Sequence, residues 1–189
     1  HRIWGFYPRG DGELGVTIRG GAVSQGLVRT DPGALQRVEG LAFAARLPSH
    51  IPQRMTNRAR NNLADLGIDS HIVPQHVSSP GVGTGLFLCA RYERAQAGFL
   101  SLGRRGLPSE EVAEIACRDF VAHHQTHAVA DPHLADQLVL PVALAVGRSE
   151  ITVSRVTRHL LTNVWVTHQF GFDRVTVTGD RKSTRLNSS

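Results

Sequence analysis

Short alternations of apolar and polar residues recur along the chain. Between them lie longer runs in which apolar residues return every three or four positions. Near the start, GFYPRGDGELGVTIRG (5–20) reads as a Gly/Pro turn followed by a short strand alternating through Leu14, Val16 and Ile18. Residues 22–40 carry little pattern. LAFAARLP (41–48) predicts a strand. Ser49 then N-caps a helix that tolerates Pro52 in its first turn and ends near Leu66, before Gly67. IDSHIVPQ (68–75), LFLCARYER (86–94) and AGFLSLG (97–103) predict three further strands. The stripe Val112, Ile115, Ala116 and Phe120, opened by Ser109, Glu110 and Glu111, predicts a helix over LPSEEVAEIACRDFVAHHQ. HLADQLVLPVALA (133–145) predicts one more helix, with Leu134, Leu138 and Val142 on its stripe and Pro141 kinking it or ending its regular hydrogen bonds. ITVSRV reads as a strand, HLLTNVWVTHQF as a helix and DRVTVT as a last strand. Strands alternating with helices indicate a mixed α and β class.

Composition narrows this further. The chain has 189 residues, 41% hydrophobic and 20% charged, which suits one large or two small globular domains. No apolar run approaches the roughly 20 residues that span a bilayer. HRIWGFYPRG shows neither an initiating methionine nor an apolar leader, and the chain reads as part of something longer. The last ten residues, DRKSTRLNSS, hold the sole lysine, Lys182, whereas every other cation is arginine. They resemble the in-frame translation of a common sequencing-library adapter, so 180–189 are expected to be a non-native tail outside the fold. That tail contributes Arg181, Lys182 and Arg185 against Asp180. The net charge of +5 thus becomes +3 for residues 1–179. A mildly basic surface accommodates an anionic ligand without specifying one. Cys89 and Cys117 lack metal-ligand spacing and read as buried free thiols in a reducing compartment.

Candidate chemistry lies in a few places. SSPGVGTG (78–85) is glycine-rich, but it precedes a strand and matches neither phosphate-loop pattern, so it reads as a turn. His123, His124 and His127 are spaced for chelation but lack a partnering glutamate or cysteine pair, and they read as a solvated helix end. His159 stands at the seam between a strand and a helix. Such a histidine can cap or pack. Because a neutral imidazole is available near pH 7, it can also attack a phosphate and form an energised phosphoramidate. Arg158, Thr162 and Asn163 beside it offer donors for an anion. HLADQ (133–137) can be an ordinary polar first turn, or can bind a ribose or base edge with His133 as a stacking surface.

Three stretches, GFYPRGDGE (5–13), HLADQLVLPVALA (133–145) and RHLLTNVWV (158–166), resemble in that order the RNA 3′-terminal phosphate cyclase family. The resemblance covers essentially all of residues 1–179 and about the C-terminal half of the family's length. It implies an α/β (α+β) fold: a large domain of repeated βαβαβ-type units, like the C-terminal domain of a bacterial translation initiation factor, with a small inserted α/β domain. By similarity, residues 1–34 and 126–179 belong to the large domain and 35–125 to the insert.

The resemblance also implies a chemistry. Family members are ligases that convert an RNA 3′-phosphate to a 2′,3′-cyclic phosphate, using ATP and a divalent metal, Mg or Mn. A histidine matching His159 takes AMP from ATP. The residues matching His133, Leu134, Ala135, Asp136 and Gln137 bind the nucleotide, with His133 stacking on adenine. Asp11 replaces a glycine of the family's usual triplet, for which a local effect is expected. The metal's carboxylate ligand is expected in the N-terminal half that this chain lacks, so the chain alone is expected to be inactive. Its partners are expected to be RNA 3′-phosphate ends, without a membrane, in the cytoplasm. A non-catalytic relative that binds RNA in ribosome assembly is the alternative, but such relatives lack the nucleophilic histidine. An enolpyruvyl transferase, with related repeats, ranks last.

Overall fold

A computed structural model describes residues 3–21, 23–179 and 184–188. In chain order the elements are β1 (Val28–Arg29), β2 (Leu35–Ala45), α1 (His50–Ala64), β3 (Ser70–His76), β4 (Gly83–Tyr92), β5 (Gln96–Leu102), α2 (Ser109–His124), α3 (Pro132–Gln137), α4 (Val139–Leu144), β6 (Ser149–Val153), α5 (Arg158–Gln169), β7 (Thr176–Gly179) and β8 (Thr184–Ser188). The class is mixed α and β, as the pattern predicts. The chain packs as two compact units, one from residues 1–18, 36–91 and 98–121, the other from 19–35, 92–97 and 122–189. Residues 1–34, grouped together by resemblance, are thus divided between the two.

The first unit is a sheet of order β3-β2-β4-β5 carrying two helices. β2 and β3 pair in parallel, from Val38 opposite Ser70 to Ala44 opposite His76. α1 makes the crossover such a pair requires. Pro52, Met55, Thr56, Ala59 and Leu63 bury one stripe of α1. Val112, Ala113, Ala116, Cys117 and Phe120 bury the matching stripe of α2. Ser109 is the first residue of α2 rather than the one before it. Phe120 is fully buried and meets Phe99 edge-on at 5.8 Å. Burying a large apolar side chain such as Phe120 contributes about 1.5–3 kcal/mol. The Arg54 guanidinium donates to both carboxylate oxygens of Glu110, at 2.7 and 2.8 Å, and Arg58 approaches Glu114 at 2.7 Å. These pairs are half-exposed, so they set helix register more than they add stability.

The N-terminal segment belongs to this unit but forms no strand through Leu14, Val16 and Ile18. Those side chains are 64%, 68% and 86% exposed. Glycines punctuate the run and, among the described residues, no neighbouring strand offers it a ladder, without which alternation alone makes no strand. Residues 3–13 instead fold back on themselves through the bridges Ile3↔Glu13 and Phe6↔Gly10. Gly10 and Asp11 both adopt positive φ there, 68° and 56°, a conformation open to glycine and tolerated by aspartate. Asp11 in place of glycine therefore fits the turn.

The second unit has sheet order β1-β6-β8-β7. β1 runs parallel to β6, and β8 is antiparallel to both β6 and β7, with Leu186 opposite Ile151 and Val177. Residues 180–189 were expected to stay out of the fold, yet Thr184–Ser188 supply an inner strand. β6 and β7 each present an open backbone edge, and a short alternating segment with one central leucine can fill such a gap whatever its origin. The rest of the tail lies outside the described residues. The helix expected over 133–145 is two short helices with a break at Leu138. Pro141 explains the position: its ring collides with the carbonyl four residues earlier, that of Gln137. Ala135, Val139, Val142, Ile151, Val153, Leu160, Val164, Val175 and Leu186 form the core.

Candidate functional site

The site grows from the junction after β6. Thr157 has extended backbone, and its hydroxyl oxygen accepts from the Leu160 N–H at 3.0 Å, so Thr157 is the N-cap of α5. Leu160, Val164 and Thr167 turn the helix's inner face into the core. With Leu160 fixed inward, His159 at the second helical position projects to solvent. This accounts for a polar ring at a seam between two apolar runs: position 160 packs and position 159 does not. Among the described residues no acceptor engages the N–H groups of Arg158 and His159. Two open donors at the positive end of a 12-residue helix, beside the exposed Arg158, suit an anionic oxygen.

The HLADQ segment is built by a second cap. The buried Asp131 carboxylate accepts from the His133 and Leu134 N–H groups, both at 2.9 Å, and Pro132 opens α3. Ala135 is fully buried in the core and Leu134 packs against it, while His133 and Gln137 are exposed and Asp136 is half-buried. Ala135, with no exposed surface, holds the turn to the core rather than meeting a ligand. α3 packs against α5, and the Asn163 side-chain amide donates to the Asp136 carbonyl at 3.1 Å. Asn163 and His159 are four residues apart and share a helix face. The structure thus brings His159 and the 133–137 segment together on adjoining helices of one unit. The two caps, Thr157 and Asp131, were missed in the sequence. The pattern of Thr, Asp or Ser just ahead of an apolar-periodic run would have found both.

The other candidates fall away from this surface. The histidines ending α2 are not a solvated end. His123 is buried, and burial holds its ring below the ordinary imidazole range against the opposing pull of Asp131. His124 is half-buried, lowered by the same cause, and its Nδ1 lies 3.1 Å from the Tyr92 hydroxyl. Among the described residues no group of three His, Cys, Asp or Glu side chains could hold a metal ion. SSPGVGTG leads into β4 as a turn. Cys89 and Cys117 are free thiols, and burial pushes the Cys117 thiol up to about 11.

Comparison with known proteins decides the kinship. Residues 30–125 match the family model for the RNA 3′-terminal phosphate cyclase (RTC) insert domain. The chain belongs to the RNA 3′-terminal phosphate cyclase family. It is 50% identical over 174 residues to a protein of Methylococcus capsulatus named RNA 3′-terminal phosphate cyclase, covering 92% of this chain and 48% of that protein. It is 47% identical over 176 residues to the protein of that name from Trichormus variabilis, covering 92% and 50%. It is 32% identical to the one from Pyrococcus furiosus over 88% of this chain and 48% of the relative. The chain therefore spans about half the length of the curated cyclases it matches. The matched insert model takes in β2 to α2, whereas His159 and the HLADQ segment lie outside it, in the second unit. No helix here is long and apolar enough to cross a membrane, among the described residues.

Proposed function

We propose that this chain supplies the nucleotide-binding and nucleophilic surface of an ATP-dependent RNA 3′-phosphate cyclase. His159 takes the role of nucleophile. A ring nitrogen attacks the α-phosphorus of ATP, a P–N bond forms, and pyrophosphate leaves. A 3′-phosphate oxygen of RNA then takes the AMP, breaking that P–N bond and returning the ring to its neutral form. The neighbouring 2′-hydroxyl attacks the activated phosphorus, losing its proton, and AMP departs as the cyclic phosphate closes. Activation is needed because a phosphate monoester offers no good leaving group, and the final closure is fast because it is intramolecular.

The residues present fit an anionic nucleotide. The open N–H groups of Arg158 and His159 and the Arg158 guanidinium would hold phosphate oxygens. Asp136 and Gln137 would contact the nucleoside, with His133 as a flat surface for the base and Leu134 and Ala135 holding that turn to the core. A divalent metal would neutralise the triphosphate charge. Its ligands are assigned to the part of the relatives that this chain does not cover, so the chain alone is expected to be inactive. The reading is carried by one observation: His159 is exposed at the start of a helix whose next turn bonds to the Asp136 carbonyl.

The test is a chimaera joining this chain to the half of the Methylococcus capsulatus relative that it does not cover. Incubated with α-labelled ATP and Mg or Mn, the chimaera should acquire acid-labile, base-stable label, and the His159→Ala chimaera should acquire none. Label persisting in the alanine variant refutes the nucleophile. A chimaera that binds RNA but never labels would support the non-catalytic alternative.

A further inference from the structure

The first unit contains a cavity of ≈ 750 Å³ whose lining includes Phe6, Tyr7, Leu47, Leu102, Arg104 and Arg105. Its walls are apolar and part of its edge is cationic. On one side, residues 3–13 form the folded-back segment whose tip carries Tyr7. That ring is 94% exposed, so the chain's own packing does not use it. Phe6 beside it is held firmly. It stacks with Trp4 at 6.4 Å and with Phe43 at 6.1 Å, and any side chain at Gly83 would overlap its ring. On the other side, the chain leaves β5 in a turn pinned by two bonds. The Gly103 N–H donates to the Thr84 carbonyl at 2.8 Å, and the Leu107 N–H to the Arg104 carbonyl at 3.0 Å. This turn presents Arg104 and Arg105 to solvent.

Those two arginines differ from three others in the same unit, although Arg9, Arg46 and Arg60 likewise have no carboxylate partner among the described residues. Arg54, Arg58 and Arg91 are paired with Glu110, Glu114 and Glu39. Among the described residues no carboxylate pairs with Arg104 or Arg105. Two uncompensated guanidiniums thus edge an apolar slot that also offers one exposed and one fixed aromatic ring. An acidic peptide would use the charges but leave the rings idle. An unpaired nucleic acid uses both, because its bases stack on aromatic faces while its phosphates meet arginine. The volume is within the roughly 300–1,000 Å³ of ordinary ligand sites.

We propose that this cavity binds an unpaired stretch of RNA, one base stacking on Tyr7 and Phe6 and adjacent phosphates lying against Arg104 and Arg105. The choice of RNA rests on the substrate proposed above, but the residues are separate from His159 and the HLADQ segment.

Fluorescence anisotropy of this chain with a short labelled unpaired oligoribonucleotide tests it. Tyr7→Ala, and the double change Arg104→Ala with Arg105→Ala, should each weaken binding by about tenfold or more. The arginine pair should also flatten the dependence of log affinity on log salt by about 1.4. Tyr7→Phe should bind like the original, since it keeps the ring. All these side chains are exposed, and circular dichroism verifies that each variant is folded. Binding that ignores both sets of changes overturns the site. So does equally tight binding of a duplex, or no binding of RNA at all, including the case in which an acidic peptide binds instead. The labelling assay separates this proposal from the last. A labelled chimaera whose RNA affinity ignores Tyr7 and the arginines leaves only the catalytic reading standing. An RNA affinity that depends on them, in a protein that never labels, does the reverse.

Discussion

The two units solve the same packing problem differently. The first closes a four-stranded sheet from segments within residues 35–102 and covers it with two helices of 15 and 16 residues. The second fills an inner place of its sheet with Thr184–Ser188 and builds from helices of 6, 6 and 12 residues. Large apolar side chains stand in water in both units, among them Val16 at 68% and Ile18 at 86% in the first and Trp165 at 61% and Phe170 at 77% in the second, so this feature does not separate them. The difference lies in the inner strand drawn from the end of the chain and in the shorter helices, and on those two counts the unit that holds the candidate nucleophile is the less self-sufficient one. Functional surfaces are commonly drawn from the less stable parts of a fold.

The largest expected effect breaks this contrast directly. Deleting residues 180–189 removes β8, and with it every ladder bond of β7 and one edge of β6. Amide exchange followed by mass spectrometry should show β6 and β7 losing most of their protection while β2 and β4 keep theirs. Equal loss in both units would mean that their stabilities are not separate. Within the first unit, Phe120→Ala should cost about 3–5 kcal/mol, measured by denaturant unfolding, because a fully buried ring leaves a cavity that the helix stripe cannot close. A cost below about 1 kcal/mol would contradict the packing described for α2. Asp131→Ala should cost about 1–2 kcal/mol in the second unit by removing a cap that accepts two N–H groups. It should also loosen the HLADQ turn, so nucleotide affinity in the chimaera should fall with it.

How much of this was legible in the sequence follows from how local each feature is. α2 was readable because its burial repeats every three or four residues and acidic residues open it. The break at Leu138 was half-legible: Pro141 announced a disruption, but its place depends on the carbonyl four residues back. The strand through Val16 was a false reading, since alternation needs a partner that the sequence does not name. The last ten residues read as non-native from their origin, whereas strand pairing depends on an open edge and not on provenance. At the site, RHLLTN and HLADQ were readable as motifs. Their proximity was not, because it arises from α3 packing on α5 and from the single bond between Asn163 and Asp136. The exposure of His159 depends on the Thr157 cap fixing the helix rotation, which a periodicity count without the cap does not see.

The smallest expected effect concerns pH. His123 and His124 lie in the second unit with Tyr92, His127 and Asp131 near them. Burial disfavours the imidazolium, so both rings bind a proton less readily folded than unfolded; Asp131 opposes this at His123, and His127 adds to it at His124. The Tyr92 phenol, pushed up to about 12 by burial, stays neutral throughout and gives no compensating charge. The unfolded chain therefore binds more protons once the pH drops to about 6.5. Stability contributed by these rings is complete above that value and is lost as the pH falls through it. Melting temperature should decline from about pH 7.5 to about pH 5. His124→Gln, which keeps an acceptor for the Tyr92 hydroxyl but cannot titrate, should make the decline shallower. Amide exchange at both pH values should locate the loss around β6 and α3, and a loss confined to α1 and β3 would show that some other group governs it.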